Sequence, residues 1–441
     1  MQKSLRYKDE FIQHLSDLIA INSVEGEAKP GAPFGEGPKA ALDLFLKLAE
    51  QMGFRTENMD GYCGYVEFGP ETEEMVAGVC HLDVVPAAGW PEAFEMKVTE
   101  DKLIGRGVMD DKGPALTVLY AMKLLKDDGY EPPCRVRLIL GCNEETGMAC
   151  MDYYCKHGLI PKAAFTADAN FPVIHAEKGR YAFKLVWDGS DYEPDSHLSL
   201  RAHVGLAENV IPGEAEYQIV NDESGEVETY EVIGRMGHAS TPEHAENAIA
   251  LAMCDAEKRL AEKNASHPFV SSYCQLIGMD YNGQRIGANF SDEDSGRLTL
   301  NTGILHLEKD HGEVYCDVRF PVTMKSKDVA QSIHQKVAES AFEIEDLSFT
   351  EPLYHKKDEP LVQILNNIYC RISGEKAEPI AIGGGTYAKE VPNCLAFGPA
   401  FPGEEGNCHQ KNGSIRIDTV FKSCDIYADA LKELAEAFSK K

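Results

Sequence analysis

Two adjacent glutamates are the strongest indication of chemistry in the sequence. Glu144 and Glu145 come shortly after the strand-like segment 135–140. Neighbouring carboxylates repel each other unless a cation lies nearby or one of them is protonated. One of the pair could bind a metal ion while the other takes a proton from water. The alternative interpretation is a solvated acidic turn.

A second acidic pair lies between a glycine-rich turn and the start of a helical pattern. Asp110 and Asp111 could cap that helix, or they could present one carboxylate to a metal ion from its N-terminus. Gly105 and Gly107 lack a third glycine at the spacing of a phosphate-binding loop, so a nucleotide site is not indicated.

The segment His81-Leu82-Asp83 directly follows an apolar run. A histidine that binds metal usually donates its other ring N–H to a carboxylate or a carbonyl, and Asp83 is close enough in sequence to be that partner. A histidine that caps a strand is the alternative. Asp168 and His409 are uninformative when each is taken alone.

Together, His81, Asp110, Glu145, Asp168 and His409 form a set of two imidazoles and three carboxylates. Such a set suits zinc, manganese or cobalt better than calcium or copper. Five ligands are too many for one tetrahedral catalytic ion with an open position. They fit two ions about 3.5–4 Å apart that share one carboxylate and a water.

The elements that must position these residues follow an α/β pattern. Segments 75–79, 135–140 and 163–166 have the composition of buried parallel strands. Helical patterns such as 40–52 and 115–126 alternate with them, which predicts an α/β fold with a mostly parallel sheet. Ligands of such sheets bind beyond the carboxyl ends of the strands, so the three strands are expected to deliver His, Glu and Asp residues to one edge.

From about residue 181 the pattern changes. Segment 181–187 alternates like an exposed antiparallel strand. Further strands are predicted at 228–233, 298–307 and 314–320, and helices between and after them at 245–264 and 326–342. This mixture of strands and helices is typical of an α+β domain. After about residue 353 the α/β character returns. We therefore predict a discontinuous catalytic domain at 1–180 and 354–441, interrupted by an inserted α+β domain at 181–353.

The charge and cysteine content of the sequence limit the partners and the cellular location that can be expected. The 441 residues include 43 Lys and Arg against 72 Asp and Glu, a formal net charge of −29. Such a surface repels phosphate backbones and anionic lipids, so we expect neither nucleic acid nor membrane as partner. The 13 cysteines are odd in number and include no Cys-x-x-Cys motif, which argues against disulfides and thiolate zinc sites and favours a reducing, cytoplasmic location. The N-terminal segment has the pattern of an amphipathic helix and not of a signal peptide.

These motifs resemble the co-catalytic zinc exopeptidase family that includes aminoacylase, carnosinase, carboxypeptidase G and the bacterial dipeptidase PepV. The resemblance extends over nearly the whole chain, and segments 290–301 and 383–388 are most similar to the PepV-like branch. It implies that His81 and Asp168 hold one ion, that Glu145 and His409 hold the other, and that Asp110 bridges them.

The resemblance also implies roles around the ions. Asp83 would orient His81, Glu144 would be the general base, and the peptide bond between Asp110 and Asp111 would be cis. The family commonly has a glutamate four residues after its last ligand, where this chain has Gly413.

The inserted domain is implied to be a lid that contacts the substrate. His238, in Gly-His-Ala-Ser, would reach the scissile carbonyl, and Arg319 would bind a substrate carboxylate. Asn209 and the turn around Gly384 would be further contacts. A surface-loop role for His238 and a structural ion pair for Arg319 are the alternatives.

The predicted function is a dipeptidase that uses two divalent ions, zinc or else manganese or cobalt, on small dipeptides. An N-acyl amino acid deacylase or desuccinylase of the same family is one alternative. A binding protein that has lost catalysis is another. An insertion of roughly 170 residues is long enough to supply both halves of the lid within one chain, which favours a monomer.

Overall fold

A computed structural model describes residues 2–192, 197–404 and 407–439 of the chain. The chain divides into two units. The first comprises Met1–His175, His355–Ile380 and Gly385–Lys441, and the second comprises Ala176–Tyr354 and Ala381–Gly384. The predicted domain boundaries at 180 and 353 stay a prediction.

Helices occur in both units and are numbered in chain order. They are α1 (Lys8–Ile19), α2 (Glu36–Gln51), α3 (Lys112–Asp127), α4 (Ala149–His157), α5 (Ala248–Glu262), α6 (Pro268–Leu276), α7 (Ser326–Val337), α8 (Pro360–Ser373) and α9 (Ile417–Phe438). Short 3-10 turns lie at Lys3–Tyr7, Pro242–His244 and Tyr387–Lys389. Within the described ranges, none of these helices combines the length and the apolar character needed to span a membrane.

The strands follow the same order. They are β1 (Arg55–Met59), β2 (Cys63–Phe68), β3 (Met75–His81), β4 (Lys97–Val98), β5 (Lys102–Ile104), β6 (Arg135–Gly141), β7 (Ala163–Thr166), β8 (Ala169–Asn170), β9 (Ile174–Glu177), β10 (Gly179–Asp188), β11 (Leu198–Val204), β12 (Val210–Ile211), β13 (Glu214–Asn221), β14 (Val227–Ile233), β15 (Gly237–His238), β16 (Ser291–Asp292), β17 (Gly296–Arg297), β18 (Thr299–Leu307), β19 (His311–Phe320), β20 (Glu343–Thr350), β21 (Leu353–Tyr354), β22 (Ile380–Ile382), β23 (Cys394–Ala396), β24 (Pro399–Ala400) and β25 (Ser414–Arg416).

The first unit is built on a mostly parallel sheet with the order β1-β2-β6-β3-β7-β23. Strand β3 pairs in parallel with β6 and with β7, and β7 pairs in parallel with β23. All seven residues of β3 are buried, as expected for a parallel strand that is covered on both faces. The predicted α/β fold is confirmed.

Helices α3 and α9 pack against each other and against β3. Gly78 allows this close approach, because a Cβ at that position would lie 2.9 Å from Cγ1 of Val118 in α3. The rings of Phe11, Tyr120 and Phe421 join α1, α3 and α9, with edge-on contacts at centroid distances of 5.2 and 5.5 Å. These ring contacts fix the positions of α3 and α9, the two helices that pack against β3, the strand that carries His81.

The second unit contains an antiparallel sheet with the order β14-β13-β11-β18-β19-β10-β20. Helices α5, α6 and α7 contribute to its hydrophobic core. The strand predicted at 181–187 is present and antiparallel, but the expectation that it is exposed is wrong. As β10 it lies between β19 and β20, and every second side chain from Tyr181 to Trp187 is buried in that core.

Helix α7 also ends earlier than predicted, at Val337 instead of residue 342. The Ser340 hydroxyl donates a hydrogen bond to the Val337 carbonyl at 2.7 Å. This side-chain contact satisfies a carbonyl that helix termination leaves without an intrahelical partner, and sequence periodicity does not reveal it.

His267, at the start of α6, is enclosed by aromatic rings of the second unit. Its ring lies 4.8 Å from Trp187 and 5.5 Å from Tyr192 between centroids. The residue is 1% exposed, and neither ring nitrogen has a hydrogen-bond partner among the described residues. Burial lowers the pKa of His267 to about 4, against about 6.5 in an unfolded chain.

We therefore predict that His267 destabilises the fold as the pH falls. Above pH 6.5 the imidazole is neutral in both states, whereas between pH 6.5 and 4 only the unfolded state binds the proton. Relative to a His267→Phe variant, the wild type should lose about 3 kcal/mol of unfolding free energy between pH 7 and pH 4. Urea unfolding of both proteins at the two pH values measures this difference. His244→Phe is the control, since the side chain of His244 is 80% exposed and should give no such difference. Parallel pH dependences of wild type and His267→Phe would contradict the prediction.

Candidate metal centre

Three parallel strands of the first unit bring the candidate ligands to one edge of the sheet. His81 is the last residue of β3 and lies opposite Gly141, the last residue of β6. Glu144 and Glu145 follow β6, and Asp168 follows β7. Because β3 lies between the other two strands, their carboxyl ends deliver an imidazole and three carboxylates to the same place.

His81 is fully buried and faces acidic groups on both sides of its ring. Its Nδ1 lies 3.1 Å from the carbonyl oxygen of Asp83 and 3.4 Å from Oδ1 of the same residue. In the neutral imidazole that a metal ion needs, donation from Nδ1 to that carbonyl leaves the lone pair on Nε2. Nε2 lies 3.0 Å from Oδ1 of Asp110 and 3.7 Å from Oδ2 of Asp168, yet it makes no hydrogen bond of normal geometry with any described residue. A buried lone pair that faces two carboxylates is a position for a cation.

The two oxygens of Asp110 face two different histidines. Oδ1 lies 3.0 Å from Nε2 of His81, and Oδ2 lies 2.8 Å from Nε2 of His409. Nε2 of His409 is also 3.3 Å from Oε2 of Glu145. The peptide bond between Asp110 and Asp111 is cis. Asp110 thus has the arrangement expected of a carboxylate shared by two sites.

The ligand atoms form overlapping groups of three in which all atoms lie within 4.8 Å of one another. These groups are His81 with Glu144 and Asp168, His81 with Asp110 and Glu145, and Asp110 with Cys408 and His409. Cys408 was not predicted as part of the cluster, although it directly precedes His409.

The electrostatics of the cluster reflect its concentration of negative charge. Burial and the neighbouring carboxylates raise the pKa of Glu144 well above its usual range, and burial is also the largest cause that raises the pKa values of Glu145 and Asp168. Although burial favours the neutral acid, the facing imidazoles of His409 and His81 hold the pKa of Asp110 well below its usual range. A divalent cation would offset this repulsion.

Backbone amides and buried acids fix the ligands in place. Oδ2 of Asp111 accepts a hydrogen bond from the His81 amide at 2.9 Å. Oδ2 of Asp83 accepts one from the Glu145 amide at 3.1 Å. Oε1 of Glu145 accepts another from the Val85 amide at 3.2 Å. The sequence drew attention to Asp111 as half of an acidic pair, but this positioning contact was not predicted.

Arg106 supports the segment that carries His409. Its guanidinium donates to the carbonyl of Cys408 and, at 3.4 Å, to that of His409. It also lies over the ring of Trp90, 5.6 Å from its centroid. At Gly413, where the resemblance implies a glutamate, the backbone carbonyl accepts a hydrogen bond from the Gly105 amide at 3.0 Å. Arg106 was not recognised from the sequence, since its partners are backbone atoms about 300 residues away.

The residues predicted to contact the substrate lie in the second unit, where several of them are neighbours. His238 in β15 pairs with Val210 in β12, and the Ala239 amide donates to the Asn209 carbonyl at 2.9 Å. The Ser240 amide donates to Nδ1 of His238 at 3.2 Å, which leaves the ring proton on Nε2. Gly383 approaches this loop so closely that a Cβ would lie 2.7 Å from Cβ of Ser240.

Arg319 makes a bidentate ion pair with Asp317 inside the second unit. Nε lies 2.5 Å from Oδ1, and Nη2 lies 3.1 Å from Oδ2. Nη1 donates to the Gly383 carbonyl at 3.2 Å, beside Gly384. Three of the five N–H donors are therefore used by described residues, which leaves one N–H on each Nη atom.

Comparisons with known proteins identify the family. The family model described as peptidase family M20/M25/M40 matches residues 79–433. A protein of Bacillus subtilis (strain 168) named putative dipeptidase YtjP is 36% identical over 98% of both chains. The chain belongs to the peptidase family M20/M25/M40. A similarly named Staphylococcus aureus protein (strain bovine RF122 / ET3-1) is 32% identical, again over 98% of both chains.

Solved structures of this peptidase family share the fold. Human carnosine dipeptidase 1 matches with a TM-score of 0.64 over 99% of this chain and 98% of that chain, at 13% sequence identity. The predicted resemblance is confirmed, and this member of the M20/M25/M40 family is a metal-dependent peptidase. A binding protein without catalysis is therefore not retained.

We predict that metal uptake by this peptidase releases protons. Hydrogen bonds with Asp110 and Glu145 raise the pKa of His409 to about 10, so the metal-free imidazole is protonated at pH 7.5. A metal ion needs the neutral imidazole, so metal affinity should rise with pH as this proton becomes easier to remove. Calorimetric titration of the metal-free protein in two buffers of different ionisation enthalpy counts the protons. At least one proton per chain is expected, and fewer from His409→Asn; equal heats in both buffers would contradict this.

Proposed function

We propose that the chain is a dipeptidase that uses two divalent ions at the Asp110 cluster. The observation that carries the proposal is the position of Asp110, with one oxygen 3.0 Å from His81 and the other 2.8 Å from His409. Two relatives that match this chain over nearly their whole length are named putative dipeptidases, and these names support the substrate class.

His81 and Asp168 would hold one ion, and Glu145 and His409 the other, with Asp110 between them. Imidazole and carboxylate ligands favour zinc, with manganese or cobalt as the alternatives. When bound, the ions would supply Lewis-acid polarisation of the scissile carbonyl and activation of water.

Glu144 would act as general base. Its carboxylate belongs to the group with His81 and Asp168, and its raised pKa suits a group that takes a proton and gives it back. It would accept a proton from the attacking water and pass it to the leaving amine. Asp83 would keep His81 in orientation through the contacts at Nδ1.

The substrate would be held by residues of the second unit. The two remaining Nη protons of Arg319 suit a bidentate contact with a terminal carboxylate. Asn209 and the backbone at Gly384 would be further contacts. The Nε2–H of His238, fixed by the Ser240 amide at Nδ1, would donate to the developing oxyanion.

An N-acyl amino acid deacylase or desuccinylase is the second candidate. Arg319 would bind the carboxylate of an N-acyl amino acid in the same manner, so this contact favours neither substrate. Turnover of a dipeptide panel beside N-acetyl and N-succinyl amino acids, with zinc, manganese and cobalt in turn, decides between them. Hydrolysis of the acyl compounds alone would overturn the dipeptidase proposal.

We also propose that the protein is a cytoplasmic monomer. The free cysteines among the described residues suit a reducing compartment. Sedimentation equilibrium at micromolar concentration tests the monomer, and a mass of twice 48.6 kDa would contradict it.

Removal of the general base should separate chemistry from metal binding. We predict that Glu144→Gln lowers kcat at least 100-fold, because general-base catalysis contributes factors of about 10² to 10⁴. Metal content per chain should stay that of the wild type. Glu71→Gln, at a side chain that is 73% exposed, should leave both values unchanged. Near-normal turnover of Glu144→Gln would exclude this mechanism.

Arg319 should be coupled to the substrate's terminal carboxylate. We predict that Arg319→Met raises KM for a dipeptide about 10- to 100-fold, the value of one or two charge-assisted hydrogen bonds. A dipeptide amide should show a comparable increase with the wild type, and little further increase with the variant. If the increases in KM caused by the Arg319→Met substitution and by the dipeptide amide were additive, Arg319 would not contact the terminal carboxylate. Metal content, unchanged in Arg319→Met, is the control for folding.

A further inference from the structure

Two exposed histidines face each other on the solvent side of the second unit's sheet. His203 in β11 is the direct cross-strand partner of His306 in β18. Their Nδ1 atoms are 3.1 Å apart. Two nitrogen ligands of one tetrahedral zinc ion are about 3.3 Å apart, since Zn–N bonds measure about 2.0–2.1 Å. The pair therefore has the spacing of two ligands on a single ion.

The tautomer of His203 is set by a carboxylate. Its Nε2 lies 2.7 Å from Oε1 of Glu308, so Nε2 carries the proton and Nδ1 keeps its lone pair. This is the usual arrangement of a metal-bound histidine, in which the second ring nitrogen donates to a carboxylate. The other oxygen of Glu308 is 3.6 Å from Nε of Arg201, which helps to orient the carboxylate.

The second ring is also oriented, and the site is open to solvent. The His306 ring stands edge-on to Tyr315, at 6.3 Å between centroids and 88° between planes. The side chain of His203 is 57% exposed and that of Glu308 is 50% exposed. A hydrated ion can therefore reach both Nδ1 atoms and keep water in its remaining positions. On binding, the proton of the His306 imidazole would move to its Nε2.

The surroundings are acidic. His203 lines a groove together with Glu216 and Glu231, which lie directly opposite each other in β13 and β14. Like charges directly opposite each other destabilise a strand pair, and a cation beside them reduces that repulsion. The groove thus attracts a cation toward the histidine pair.

We propose that His203 and His306 form a second metal site that binds one divalent transition-metal ion, separate from the catalytic cluster. Two imidazoles with water ligands suit zinc, nickel or copper. The ion would link β11 to β18 within the seven-stranded sheet. The proposal does not depend on the dipeptidase activity.

Equilibrium dialysis of the holoenzyme against zinc tests the site. The wild type, already loaded at its catalytic centre, should bind one further zinc ion per chain. His203→Gln and His306→Gln should lose this ion and keep the catalytic metal and normal turnover. Glu308→Gln should weaken it about 10- to 100-fold. His244→Gln is the matched control, at a histidine whose side chain is 80% exposed, and should retain it.

Copper provides an independent spectroscopic test in the intact wild type. Added Cu²⁺ should give an electron paramagnetic resonance spectrum with hyperfine coupling to two imidazoles, and His306→Gln should lose one of them. Absence of a further zinc ion in the wild type would overturn the proposal, as would its retention by both histidine variants. A copper spectrum without imidazole coupling would show that the pair is only hydrogen-bonded to itself.

Discussion

Mutual repulsion of carboxylates at the end of a buried strand is the constraint on which this structure depends. Asp110, Glu144, Glu145 and Asp168 surround one fully buried imidazole, and His409 is the other imidazole among them. Burial removes the water that would otherwise screen these charges. The parallel sheet and the backbone donors of Val85 and Glu145 hold these carboxylates together against their repulsion. The metal dependence of the family agrees with this concentration of buried negative charge.

The parts of the centre that could be predicted from sequence are those that local pattern determines. Apolar segments 75–79, 135–140 and 163–166 indicated parallel strands, and the residues after them were therefore expected at one edge. The structure has β3, β6 and β7 within two residues of those limits. The same reasoning failed for 181–187, because alternation reports which face of a strand is apolar and not whether the strand lies inside or at the edge of a sheet.

Contacts between backbone and distant side chains could not be predicted in this way. Arg106 holds two carbonyls some 300 residues further along the chain, and Asp111 accepts a hydrogen bond from the His81 amide 30 residues earlier. Neither contact produces a residue spacing that could be recognised in the sequence. The ion pair of Arg319 with Asp317 does follow from spacing, since residues two apart on a strand share a face. From the sequence, only an ion pair with an unspecified structural acid was expected as the alternative to substrate binding, and the remaining Nη protons make the two roles compatible.

The order of strands in the first unit has a consequence for synthesis of the protein. Strand β7 is paired on one side by β3 and on the other by β23, and β3 is covered by α9, the last helix of the chain. A nascent chain that has reached Asp168 thus lacks one neighbour of its sheet and the helix over its central strand. About 240 residues separate Asp168 from His409, or roughly 10–50 s of translation. During that interval four acidic side chains are present without their second imidazole, and the half-built sheet edge is open to chaperones and to premature pairing.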